Sequence, residues 1–111
     1  HRVCREVLNS KEKDLLGFLI CGTGIGISIA ANRFKNIRAT LLYNDFMTEY
    51  SQKHNNANIL VFGGRTMEIE DVKRRVDIFL NDEFEGGKYA SRNKVMDKAD
   101  SLIKDLEIEQ Y

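Results

Sequence analysis

The 111-residue sequence has no proline, no tryptophan, two cysteines and two histidines. Two cysteines close at most one disulfide, so the chain has no disulfide scaffold, which fits the reducing cytoplasm. With two histidines and no Cys/His cluster, no structural zinc site is expected. Charge of one sign is also missing. Seventeen basic residues balance seventeen acidic ones, which gives no reason to expect nucleic-acid or anionic-membrane binding. The most apolar stretch, residues 15–31, is interrupted by Gly17, Gly22, Gly24 and Gly26. A membrane span needs about 20 continuous apolar residues, so none is expected here. The opening His1-Arg2-Val3-Cys4-Arg5-Glu6 has neither a starting Met nor the apolar core of a signal peptide. It reads as the interior of a helix, and the sequence is therefore expected to be a fragment.

An apolar fraction of 42% and a charged fraction of 31% are those of an ordinary globular domain. The length allows one core and not two. Short apolar runs alternate with stretches of helical period. Phe18-Leu19-Ile20, ending at Cys21, reads as a strand, as do residues 38–43 and Ile59-Leu60-Val61-Phe62, which Gly63-Gly64 stops. Helices are expected over residues 27–34 and 46–53. A third is expected where Ile69, Val72, Val76 and Phe79 share a face. After Gly86-Gly87, a last amphipathic helix is marked by Val95, Ala99, Leu102, Ile103 and Leu106. Alternating strands and helices make an α/β domain, a Rossmann-like three-layer sandwich with a parallel sheet. Ligands of such sheets bind beyond the carboxyl ends of the strands.

Cys21-Gly22-Thr23-Gly24-Ile25-Gly26 falls between a strand and a helix. Glycines allow close backbone approach, and a helix start offers unpaired N–H groups, so the loop suits an anion. The bland alternative is a tight turn that binds nothing. The third glycine comes one position early for a dinucleotide loop, and no Gly-Lys-Ser/Thr follows as a Walker loop requires. A cysteine facing a helix start favours thiolate, fit to act as base or nucleophile. From position alone, Cys21 is equally well a small buried hydrophobe, and Cys4 is expected to be only that. No second cysteine stands at C-x-x-C spacing, which argues against thiol redox chemistry. His54 lies in the polar run Gln52-Lys53-His54-Asn55-Asn56-Ala57-Asn58, a usual place for a surface histidine. Arg65 follows Gly63-Gly64 at the carboxyl edge. Lys88 and Arg92 stand four apart, on one face of a helix. Such cations together suit a phosphate monoester.

These segments resemble the type B ribose-5-phosphate isomerases and related sugar-phosphate isomerases. The likeness runs from about Gly17 to Arg92, through residues 20–32, 52–58, 62–65 and 84–88. It implies an aldose–ketose isomerase of ribose 5-phosphate and ribulose 5-phosphate that uses no metal or cofactor. It also implies a homodimer, sometimes a tetramer, with active sites shared between subunits. Cys21 matches the catalytic base, Thr23 and His54 the pair that opens the sugar ring, and the loop amides of residues 22–26 the enediolate hole. His54, Asn55, Arg65, Lys88 and Arg92 would come from the neighbouring subunit, with Arg65, Lys88 and Arg92 gripping phosphate. The domain would span 1–111, with residues 90–110 a C-terminal helix at the dimer interface. Two departures stand out. A first βα segment with an Asp-His pair has no counterpart here and is expected in the native protein. Lys88 replaces the usual arginine, and Tyr89 a common histidine, which bears on phosphate affinity and substrate choice. Six-carbon substrates, allose 6-phosphate or galactose 6-phosphate, are the near alternative, and a nucleotide-binding module is the distant one.

Overall fold

In the computed structural model, residues 2–12 and 15–104 are described, with residues 97–104 defined by backbone alone. The elements run α1 (Arg2–Asn9), β1 (Gly17–Cys21), α2 (Ile25–Ala31), β2 (Ala39–Leu41), α3 (Asp45–Lys53), β3 (Ile59–Gly63), α4 (Ile69–Asn81) and α5 (Lys88–Lys104). β3 is apolar throughout until its final glycine, and every residue of it is buried. A parallel strand covered on both faces needs that composition. It accordingly takes the centre of the described sheet, in the order β1-β3-β2, with all pairings parallel. Gly17 pairs with Ile59 and Cys21 with Gly63, so β1 and β3 end level.

Successive β3 side chains alternate between two cores. Ile59 and Val61 join Leu19 and Ala39 beneath Cys4 of α1 and Ala31 of α2. Leu60 and Phe62 join Leu42 beneath Phe79, Val72 and Val76 of α4. The expected three-layer α/β sandwich is the fold observed. Cys4 is fully enclosed, and burial pushes its thiol pKa up, as suits a small hydrophobe. α3 and α4 are joined through Asp45. Its carboxylate accepts from Arg74 Nε at 3.0 Å and Arg75 Nε at 3.2 Å, while Arg75 Nη1 donates to Leu42 O at 3.1 Å. The bond from Arg74, then that from Arg75, holds the Asp45 carboxyl below the usual carboxylate range.

Several boundaries differ from expectation. α2 starts at Ile25 rather than residue 27, because the Thr23 hydroxyl accepts the Ile25 amide at 3.2 Å and Gly24 turns the chain with φ 84°. It ends at Ala31 because the Asn32 side chain leaves the helix to bond both N and O of Ala39 at 2.8 Å. β2 is only three residues long, since its ladder with β3 stops at Leu41. α5 begins at Lys88 and leaves Val95 66% exposed, so Val95 marks no buried face here. Leu106 and the end of the expected 90–110 helix lie outside the described residues, as do the side chains of Ala99, Leu102 and Ile103. Ile69 is 58% exposed, whereas Phe79 on the same helix is fully buried.

Candidate active site

At the carboxyl edge, the level ends of β1 and β3 bring two loops into direct contact. Gly64 N donates to Cys21 O at 2.7 Å and Arg65 N to Gly22 O at 2.9 Å. This fit requires Gly63: a Cβ there would come within 2.6 Å of Thr23 O. Gly24 is equally constrained, with positive φ and its would-be Cβ 2.5 Å from Leu41 Cδ1. Cys21 is half-buried with a free thiol. The Thr23 hydroxyl, having accepted the Ile25 amide, keeps its own proton to donate. Beside Gly26 there is no atom within 4 Å of a would-be Cβ, and Ile25 and Ile29 are more than half exposed. The outer side of the loop is therefore open.

Within the single chain, Arg65 lies against its own glycine loop: a Cβ at Gly22 would stand 3.5 Å from Arg65 Cδ and 3.9 Å from Cζ. The Arg65–Gly22 backbone bond fixes that approach. Behind the loop, a cavity of about 420 Å³ is walled by Thr23, Leu41, Tyr43, Thr66 and Arg75, among others. Cys21 does not line it.

The remaining candidates lie elsewhere. α3 leaves the carboxyl end of β2 and runs back beside the sheet, so His54, at its C-terminus, reaches the opposite edge. Asn58, four residues on, bonds Gly17 and Arg38 where the strands begin, at 3.0 Å each. A five-residue strand at about 3.3 Å per residue separates that edge from Cys21 by roughly 15 Å. There the His54 ring stacks on Tyr89, with centroids 3.8 Å apart and planes 10° apart. Tyr50 also meets the imidazole, at 4.6 Å, and Glu85 Oε1 lies 3.9 Å from Nε2. Lys88 Nζ and Arg92 Cζ sit 5.1 and 5.4 Å from the Tyr89 centroid. Asn93, only 8% exposed, donates to the carbonyls of His54 (3.4 Å) and Asn55 (3.3 Å).

One chain thus places the candidate residues in two groups: Cys21, Gly22, Thr23, Gly24, Ile25, Gly26 and Arg65 at one edge, and His54, Asn55, Lys88 and Arg92 at the other. Sequence reading missed Tyr89 as a partner of His54, and missed Asn93 altogether. The available signal was spacing, since Tyr89 and Asn93 are four apart on the face next to Lys88 and Arg92. Two members of the 52–58 run hold the fold instead. Asn56 takes φ 48°, and Asn58 Oδ1 accepts from Arg38 N at 2.7 Å. Among the described residues, no three His, Cys, Asp or Glu side chains converge as metal ligands, and no helix is long and apolar enough to cross a membrane.

The parallel three-layer α/β domain is the fold of the isomerases that the motifs suggested. The chain belongs to the Ribose/Galactose Isomerase family, whose model matches residues 1–96. It is 46% identical over 76 residues to ribose-5-phosphate isomerase B of Escherichia coli K12, covering 68% of this chain and 51% of that protein. A probable ribose-5-phosphate isomerase B of Mycoplasma genitalium is 38% identical over 90 residues, or 81% of this chain and 59% of the other. The chain therefore spans little more than half the length of these curated relatives. Among solved structures, the Clostridium thermocellum ribose-5-phosphate isomerase B superposes with a TM-score of 0.86 at 37% identity, over 92% of this chain and 68% of that one. The Mycoplasma genitalium enzyme, solved with bound ribulose-5-phosphate, gives 0.79 at 33% identity over 87% and 62%.

Proposed function

We propose that this chain carries the catalytic elements of a ribose-5-phosphate isomerase, interconverting ribose 5-phosphate and ribulose 5-phosphate in the cytoplasm. The observation that carries the reading is the loop at the end of β1. Cys21 stands at a strand terminus, backed by glycine amides and braced by Gly64 and Arg65, in a family whose matched members bear that activity in their names. Thr23 and His54 open the furanose ring. Cys21 as thiolate takes the proton from C2 of the open aldose, and the C–H pair becomes the C1=C2 bond of an enediolate. The thiol then returns that proton to C1, while a hydroxyl proton passes from O2 to O1. The amides of residues 22–26 meet the charge on the enediolate oxygen. Losing one such donor typically costs about 2.7–4 kcal/mol of barrier. Asn55, Arg65, Lys88 and Arg92 bind the substrate, with the three cations on its phosphate.

The separation of the half-sites favours a homodimer in which the Cys21 edge of one copy faces the His54 edge of another. The exposed Ile25 and Ile29 beside the loop suit such a contact. The C-terminal helix from residue 90 would lie at the same interface. Substituting Cys21→Ala in the full-length protein tests the reading. Turnover should fall about 10²–10⁴-fold, the usual contribution of a general base, with KM near wild type. Unchanged turnover would remove Cys21 from the chemistry. Ribose 5-phosphate and allose 6-phosphate assayed side by side should favour the pentose; a strong allose preference would reassign the substrate.

A further inference from the structure

At the amino edge, Tyr89 meets three of the four residues assigned to substrate there, His54, Lys88 and Arg92. Its ring lies flat on His54 (3.8 Å, 10°), and Lys88 Nζ and Arg92 Cζ approach the same ring at 5.1 and 5.4 Å. We infer that Tyr89 is the positioning residue of this half-site, holding the imidazole and the two phosphate-gripping cations in one fixed arrangement. The inference deepens the isomerase reading and rests on it.

The backbone of His54 is already held from α5 and from the loop before it. Asn93 Nδ2 bonds the His54 and Asn55 carbonyls, and Glu85 N bonds Lys53 O at 2.9 Å. What remains free is rotation of the ring, and its side chain is 29% exposed, so surrounding packing does not fix it by itself. A parallel stack at 3.8 Å does. Ring faces also attract Lys and Arg cations, so one aromatic side chain can set the spacing between the imidazole and both charges. The hydroxyl takes no part. Among the described residues it makes no hydrogen bond, so the ring rather than the phenol is the working group. Tyr50 and Phe46 continue the row along α3 at 4.6 and 4.8 Å, backing the imidazole from its own helix.

The test compares Tyr89→Phe, Tyr89→Leu and Tyr89→Ala in the full-length protein. The 111-residue sequence has one other histidine, His1, and the ring-proton NMR signals of His54 are assigned as those lost in His54→Asn. In the native protein these signals should be displaced upfield by the Tyr89 ring current. Tyr89→Phe should keep the displacement, whereas Tyr89→Leu and Tyr89→Ala should move the signals downfield, leaving only the contribution of the Tyr50 ring. In turnover, the Leu and Ala variants should lose about 10–100-fold in kcat, on the scale set by misplacing a catalytic group by an ångström. Their KM should rise, with Phe restoring both. The Leu variant keeps the apolar bulk in case the Ala variant does not fold. A His54 signal indifferent to loss of the ring would overturn the inference, as would a Phe variant as damaged as the Leu variant. The NMR readout needs no turnover, so a wild-type protein without isomerase activity would defeat the isomerase reading and leave the stack separately decided.

Discussion

Individual glycines of the Cys21 loop have different duties, and substitution separates them. Gly63 touches the loop from β3, and a methyl there would press on Thr23 O at 2.6 Å. Gly63→Ala should therefore cost about 1–3 kcal/mol through overpacking, read as a lower urea midpoint. Gly26 faces open space inside the first turn of α2. Gly26→Ala should hold or raise stability, by up to about 1 kcal/mol from helix propensity, while turnover falls if substrate occupies the open side of the loop, as proposed. A Gly26→Ala protein with full activity would take that position out of the site. From sequence, all of these glycines read alike as a turn; only the contacts across from β3 distinguish the braced ones from the open one.

At the scale of elements, Asp45 joins α3 to α4 through Arg74 and Arg75, and its carboxyl is held below the ordinary range. A depressed folded-state pKa stabilises the fold above the unfolded value, about 3.9, and that stability disappears as pH falls through the lower folded value. Asp45→Asn should therefore lower the urea midpoint most near neutral pH. The gap to wild type should close once the solution is more acidic than the folded-state pKa. A gap independent of pH would show that the carboxylate charge is not what matters. The strands were legible because β1 and β3 are short apolar runs bounded by glycine, a strong local signal. Helix limits were not, because long-range bonds set them. Asn32 ends α2 by reaching Ala39, and the Lys53 carbonyl takes the Glu85 amide from beyond α4. Val95, the first residue of the apolar face expected on α5, is two-thirds exposed in the single chain. Its described packing comes instead from polar Asn93 and from Tyr89.

For the whole molecule, candidate residues of the site could be named from the sequence, but their arrangement could not. Cys21, Thr23, His54 and the cations could be named from motifs, yet sequence order does not reveal that α3 carries His54 to the far edge of the sheet. Nor does it reveal that Arg65 stays with its own glycine loop. If two copies complete each other's sites, Cys21→Ala and His54→Asn proteins should each be nearly inactive. Unfolded and refolded together, they should regain about a quarter of native activity, because half of randomly paired two-fold dimers are mixed and each of these has one intact site. No recovery in verified mixed dimers would mean that each chain supplies its own site.

The direction in which α3 runs has a consequence for the protein in the cell. If His54 of one copy and Cys21 of another complete one site, as proposed, catalytic output is tied to how often copies meet. Specific activity should then fall on dilution below the dimer dissociation constant and return on concentration, so that expression level acts as a second control on flux besides substrate.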